Sequence, residues 1–281
     1  MNGCYTIGMI LGLLLVAGSV VAGVEDVIEI DAPGILDVPG ATYVLTKDVT
    51  TERTAFMIKG DGNRFTLRNG RLIQGRQPLA DKLSMRAGRV VQAAGPVPGR
   101  SCFVVYVRGC RGLEISDLIT EVNSRDTDNL YIRECADVHI HDNHCISSVR
   151  EITDRHWPGT GVITVAGVRG PMDIHRNVID GGGQWGIRVS GGEGLTGHLV
   201  QVHHNFCRVV AEEGSGDADP LDFDCPAYSC NRVYKNTIEA IRRSDNYWAA
   251  SINVIRAKPS NLAAVHDNVF RTNHWHLRTT T

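Results

Sequence analysis

The stretch VHIHDN at 138–143 returns four more times along the chain: MDIHRN (172–177), VQVHHN (200–205), NRVYKN (231–236) and AAVHDN (263–268). The asparagines that close these phrases, Asn143, Asn177, Asn205, Asn236 and Asn268, are 34, 28, 31 and 32 residues apart. A near-constant period of this size means stacked supersecondary units, none of which buries its apolar face alone. Inside each phrase apolar and polar residues alternate, as in Val138 and Ile140 against His139 and His141, which is the period of a half-buried strand and not of a helix. A second apolar pair follows each phrase: Cys145-Ile146, Val178-Ile179, Phe206-Cys207, Thr237-Ile238 and Val269-Phe270. A third strand-like run precedes it: Val105-Tyr106-Val107, Leu130-Tyr131-Ile132, Ile163-Thr164-Val165, Ile187-Arg188-Val189, Leu221-Asp222-Phe223 and Ile252-Asn253-Val254. Each repeat therefore reads as three short strands forming one rung of a coil. The asparagine is expected at the sharp turn itself, because it tolerates the left-handed backbone region and its amide can bond along a stack.

This pattern resembles the right-handed parallel β-helix of the pectin-lyase-like proteins, with repeats of the NosD type and a stacked asparagine between the second and third strands of each rung. The resemblance covers roughly residues 55 to 273 and implies an all-β solenoid with three short strands per rung. It is specific for fold and says little about chemistry.

Residues 1–22 are read as a secretory signal peptide, almost wholly apolar from Ile7 to Val21 and ending in small residues. The apolar run is shorter than the roughly 20 residues that span a bilayer, and no other segment can cross one, so the expectation is a secreted or periplasmic protein with no membrane contact after cleavage. Residues 23–54 are expected as an N-terminal cap over the first rung, 55–273 as the coil and 274–281 as a tail. Gln74 to Arg100 interrupts the repeat with a helix-compatible stretch, LADKLSM (79–85), and the turn signals GPVPG (95–99). The polar stretches Ser147 to Thr160, Arg208 to Pro220 and Glu239 to Tyr247 are expected as loops walling one face.

Among the eight cysteines, Cys110 should lie one rung from Cys135, and Cys145 and Cys207 should share a column with Ile179 between them. Such columns read as buried core stacks. Cys225 and Cys230, in CPAYSC, are the disulfide candidates, since export permits oxidation.

Net charge is only −2, yet Arg64 to Arg111 holds ten basic residues against Asp81 alone, which favours an anionic polymer. Nucleic acid is not expected, because no recognised module or aromatic interleaving accompanies the basic run. The opposite sign gathers in AEEGSGDADPLDFDC (211–225). Aligning rungs places Arg188, Asp222 and Asn253 in one outward column, with Asp224 two residues along on the same side as Asp222. As a polysaccharide lyase, such a site would hold Ca²⁺ on Asp219, Asp222 and Asp224 against a uronate carboxylate while Arg188 takes the C5 proton. As a glycosidase, Asp222 and Asp224 would be acid and base or nucleophile. DFDC is similar to the paired aspartates of polygalacturonases, although that family's paired-glycine histidine and RIK triplet are absent, as is the YG-DPH type of motif of mannuronan epimerases. Candidate substrate-binding residues on this face are Asn253, Trp185, Trp248, Tyr131, Arg108 and Arg133, with Trp157 and Tyr247 in or beside the wall loops. The competing structural reading is an exposed Arg188–Asp222 ion-pair ladder between rungs.

A second outward column holds His141, His175, His203, Tyr234 and His266. His141, His175 and His203 are candidate Zn²⁺ or Cu²⁺ ligands, and this column alone suggests a resemblance to the copper-site maturation β-helix proteins. No carboxylate or cysteine at defined spacing completes the set, which favours a plain polar ladder. Three functions are therefore expected: an exported enzyme on acidic polysaccharide, a non-catalytic carbohydrate-binding or surface scaffold, and a periplasmic metal-handling protein.

Overall fold

The computed structural model describes residues 27–36, 42–51, 54–59, 64–68, 71–75, 89–92, 102–122, 127–147, 161–167, 169–181, 185–190, 200–211, 219–224, 232–242, 250–255, 265–272 and 275–280. Every regular element among them is a strand, and the strands form three sheets of ten, eight and nine members. The repeated phrases lie in the ten-stranded sheet, the runs that follow them in the eight-stranded sheet, and the runs that precede them in the nine-stranded sheet. From residue 102 onward each strand pairs in parallel with the strand three places later in the chain, so successive rounds stack in register. Strand Ala136–His141 pairs with Met172–His175, which pairs with Val200–His203, then Arg232–Tyr234, then Val265–His266.

Alternation explains the core. Leu113, Ile115, Val138, Ile140, Ile174, Val202, Leu130, Ile132, Ile163, Ile187, Leu221, Cys145, Ile179, Cys207 and Ile238 are all fully buried between the sheets. Each such side chain stabilises the fold by about 1.5–3 kcal/mol through removal from water. Cys110, Cys135, Cys145 and Cys207 are buried and unbridged, and Ile179 pairs with both Cys145 and Cys207 as the alignment predicts. Cys225 and Cys230 lie outside the described residues.

The asparagines form the expected ladder. Each donates its amide Nδ2–H to the Oδ1 of the next, over 2.9 Å for Asn143 to Asn177, 3.0 Å for Asn177 to Asn205, 3.0 Å for Asn205 to Asn236 and 2.9 Å for Asn236 to Asn268. The same oxygens accept the backbone N–H of the preceding asparagine. The left-handed residue is not the asparagine, however, but the one before it: Asp142, Arg176, His204, Lys235 and Asp267 have φ between 53° and 56°. The asparagine is freed to face inward and satisfy buried backbone groups, which a turn residue pointing outward could not do.

The N-terminal region departs from the simple repeat. Residues 27–51, expected as a cap, contribute strands to all three sheets, with Val27–Ile30 and Thr42–Leu45 paired in parallel in the ten-stranded sheet. Strands Arg64–Arg68 and Arg71–Gly75 form an antiparallel hairpin, and the second of them also runs antiparallel to Thr42–Leu45. Two residues, Asn69-Gly70, separate its strands, a strong hairpin signal in the sequence. Residues 275–280, expected in the tail, form a strand paired in parallel with Ala250–Ile255. LADKLSM and the signal-like segment lie outside the described residues.

Candidate functional site

The outward face of the nine-stranded sheet carries the residues singled out by sequence. Its register column runs Met57, Tyr106, Tyr131, Thr164, Arg188, Asp222, Asn253 and Arg278. Arg188 and Asp222 are therefore lateral neighbours, and Arg188 Nε lies 3.4 Å from Asp222 Oδ2. The pair is not the exposed ladder that alternation suggests. Arg188 is 3% exposed and Asp222 1%, and Tyr131 and Thr164 beside them are covered as well.

Strict alternation also fails in these strands, and the failure builds the site. Val104, Asn129 and Val162 are fully buried although each directly precedes a core residue of its strand. Asn129 points inward, where its Nδ2 donates to Thr120 and to the Ile146 carbonyl of the eight-stranded sheet. A Cβ on Gly186 would meet Cys207 Sγ at 2.2 Å, so the chain approaches the core closely at this step in its strand. Two consecutive inward residues shift the phase, as a bulge does, and residues three apart come to share the outward face. Phe103 stacks on Tyr131 with ring centroids 4.6 Å apart, and the Trp185 ring lies under the Arg188 guanidinium at 3.8 Å. Asp219 pairs with Trp185 in register, which sets it on the face of Asp222.

The same phase shift brings out Asp128, which the sequence reading missed. Its Oδ1 accepts the Gly161 N–H at 3.0 Å, and the Thr164 hydroxyl also bonds to its carboxyl. Among the described residues its Oδ2 has no hydrogen-bond partner although it is buried. Burial pushes the Asp128 carboxyl up to about 7, against the opposing pull of the Thr164 and Gly161 hydrogen bonds and of the Arg188 charge. Burial, with Asp128 nearby, likewise raises the Tyr131 phenol. Gly161 is required here: a Cβ would lie 2.5 Å from Thr164 Oγ1. The signal that could have found Asp128 is the alignment of LYIREC with VYVRGC, extended two residues towards the N-terminus.

The remaining candidates are distributed as follows. Arg108 and Arg133 are exposed on the next outward column and both bond to Glu134, at 3.2 Å and 3.3 Å, with Arg169 3.6 Å from the same carboxylate. Three arginines share one acid there, leaving a net positive corner beside Tyr106 and Tyr131. Trp185 is covered, and the group it is seen to stack against is Arg188, not an open groove. Asp224 pairs with Ser190 and Asn253 with Asp222 in register, while their side chains lie outside the described residues, as do Trp157, Tyr247 and Trp248. Among the described residues no carboxylate trio gathers for Ca²⁺; the one set of three ligand atoms within 4.8 Å of one another belongs to Asp173, His175 and His203.

That set lies in the histidine column of the ten-stranded sheet. The rings of His141, His175, His203, Tyr234 and His266 stack with successive centroid distances of 4.9, 5.0, 4.8 and 5.3 Å. His141 is committed elsewhere: its Nε2 meets Glu114 at 3.0 Å and its Nδ1 meets Asp142 at 2.7 Å. Burial disfavours its charged form, but the bonds to Glu114 and Asp142 outweigh this and raise its pKa. Burial lowers the pKa of His175 and His203, with the Asp173 charge opposing.

Comparison with protein-family models, with curated proteins and with solved structures found no match for this chain.

Proposed function

We propose that the protein is an exported right-handed parallel β-helix that acts on an acidic polysaccharide through the outward face of the nine-stranded sheet. The observation that carries this reading is one continuous band on that face. It begins with the Arg108, Arg133 and Arg169 corner, passes the stacked Phe103, Tyr106 and Tyr131 rings, and ends in the covered cluster of Asp128, Thr164, Arg188, Asp219 and Asp222. Arginines match uronate carboxylates, and aromatic rings suit the apolar faces of sugars.

Hydrolysis fits the cluster better than β-elimination. Arg188 lies against Asp222 and keeps its proton, so it makes a poor base. A carboxyl raised to about 7 by burial, as that of Asp128 is, keeps its proton through mildly acidic pH and suits a general acid on the glycosidic oxygen. Asp128 shares its register column with Trp185 and Asp219, three strands from Asp219 and about 14 Å from it between backbones at ~4.8 Å per strand, while Asp222 stands three residues further along the strand of Asp219. In this reading Asp222 or Asp219 activates the water.

The burial of Arg188 and Asp222 favours a second reading, a non-catalytic carbohydrate-binding scaffold in which the cluster only joins rounds together. Incubation with a panel of uronate polymers, with and without Ca²⁺, separates the two. New reducing ends without unsaturated-product absorbance, lost in Asp128→Asn while its circular dichroism stays native, is the expected result. Rising absorbance would assign elimination instead. No cleavage of any polymer would leave the scaffold reading, and cleavage unchanged in both Asp128→Asn and Asp222→Asn would place the chemistry outside this cluster.

A further inference from the structure

We propose that Asp173, His175 and His203 form a binding site for one divalent transition-metal ion, separate from the carbohydrate face and independent of its function. Asp173 and His175 stand two apart on strand Met172–His175, hence on one side of the sheet, and His203 pairs with His175 in register on the next strand. Asp173 Oδ1 lies 2.9 Å from His203 Nε2 and 3.2 Å from His175 Nδ1. Ligand atoms bound at about 2.0–2.1 Å around a tetrahedral centre stand roughly 3.3 Å apart, so this spacing already suits an ion.

Two of these atoms are also left over by the fold. Among the described residues the buried atoms Asp173 Oδ1 and His175 Nδ1 lack a hydrogen-bond partner of good geometry, His203 Nε2 at 2.9 Å being the nearest group to Asp173 Oδ1. A buried polar atom without a partner is costly, and an ion between the three groups would satisfy both at once. His203 has the support a ligand requires: its Nδ1 lies 2.8 Å from His204 Nδ1. Donation of the His203 Nδ1 proton to His204 leaves the Nε2 lone pair free on the side of Asp173, the arrangement by which outer partners set a ligand's tautomer. His175 and His203 stack with their planes 6° apart, so their lone pairs run parallel and do not converge in the stacked state. A rotation of the His175 ring about χ2, a broad torsion for histidine, turns its lone pair towards Asp173 and loosens its stack on His141, while His203 stays held by His204.

Two imidazoles and one carboxylate suit Zn²⁺, Co²⁺, Ni²⁺ or Cu²⁺ and not the oxygen-seeking Ca²⁺ or Mg²⁺. Three protein ligands leave a position for water. His141, grouped with His175 and His203 on sequence grounds, is not a ligand, because Glu114 and Asp142 occupy both its nitrogens. Asp173 takes the third place, and the signal for it was the D-x-H spacing within MDIH.

The test uses the full chain, stripped with chelator and titrated with Zn²⁺ and with Co²⁺ alone, reading stoichiometry by calorimetry and coordination by visible absorption. One ion per chain, intense Co²⁺ bands, and at least tenfold weaker binding in Asp173→Asn and in His203→Gln are expected. His139→Gln and His266→Gln, on the same sheet, should bind as the wild type does. Should His203→Gln fail to fold, Asp173→Asn carries the test, since that side chain is partly exposed. No saturable binding, several weak ions per chain, or affinity unchanged in Asp173→Asn would overturn the assignment.

Discussion

The outward faces of the nine-stranded and ten-stranded sheets are built by the same stacking of strands, yet a carboxyl on the first is pushed up to about 7 and a carboxyl at the turn beside the second is held down at about 2. The first is Asp128, wholly covered, where the loss of water outweighs its hydrogen bonds. The second is Asp142, partly open to solvent and gripped by Arg176 through two bonds of 2.7 and 2.6 Å, which outweigh the opposing effect of its partial burial. Coverage raises the first carboxyl, and the bonds to an arginine lower the second. A covered ionic group must be fully matched or it destabilises the fold, whereas an open one is buffered by water.

The contrast can be broken most sharply at its ion pairs. Asp222→Ala leaves Arg188 covered beside an empty site and should cost about 3–5 kcal/mol in urea unfolding. Replacing both partners with apolar residues of similar volume, Arg188→Met with Asp222→Leu, should recover most of that loss. A double variant as unstable as Asp222→Ala would show that the pair is not matched in this way. Asn177→Ala, in the ladder beneath the ten-stranded face, removes the oxygen that accepts the Asn143 backbone N–H, and a loss of about 1–3 kcal/mol is expected. On the open face Arg176→Ala breaks the pair with Asp142, and only about 0.2–1 kcal/mol should be lost, less at high salt. A loss as large as that of Asp222→Ala would erase the distinction between the faces.

The lateral order of the molecule was legible in the sequence and its depth was not. The asparagine ladder, the Arg188–Asp222 register, the histidine stack and the Cys145–Ile179–Cys207 column follow from a period of about thirty residues, because parallel pairing converts sequence spacing directly into neighbourhood. Asp128 escaped because alternation was carried through the strand, whereas consecutive inward residues such as Asn129 and Leu130 shift its phase. Burial of Arg188 and Asp222 escaped for another reason: a pattern along one strand says which side a residue takes, and nothing about what lies over that side. Asp173 is not visible from the histidine column alone, because this ligand set draws on two columns. The hairpin at 64–75 is the plainest omission, since Asn69-Gly70 announces it locally.

The proton on Asp128 ties the covered face to pH. A carboxyl whose folded pKa is raised to about 7 from an unfolded value near 3.8 contributes stability that is complete below 3.8 and is lost as pH rises through 7. The stability difference between wild type and Asp128→Asn should therefore shift against the wild type from about pH 4 to about pH 7 and level off above that. The most direct measurement is the titration of the Asp128 carboxyl itself, by carbon NMR of the aspartate-labelled protein with Asp128→Asn to assign the signal. A midpoint near 7 is the result predicted for a covered carboxyl poised to donate a proton. A midpoint near 4 would mean that water reaches Asp128, and the covered cluster would lose the property that sets it apart.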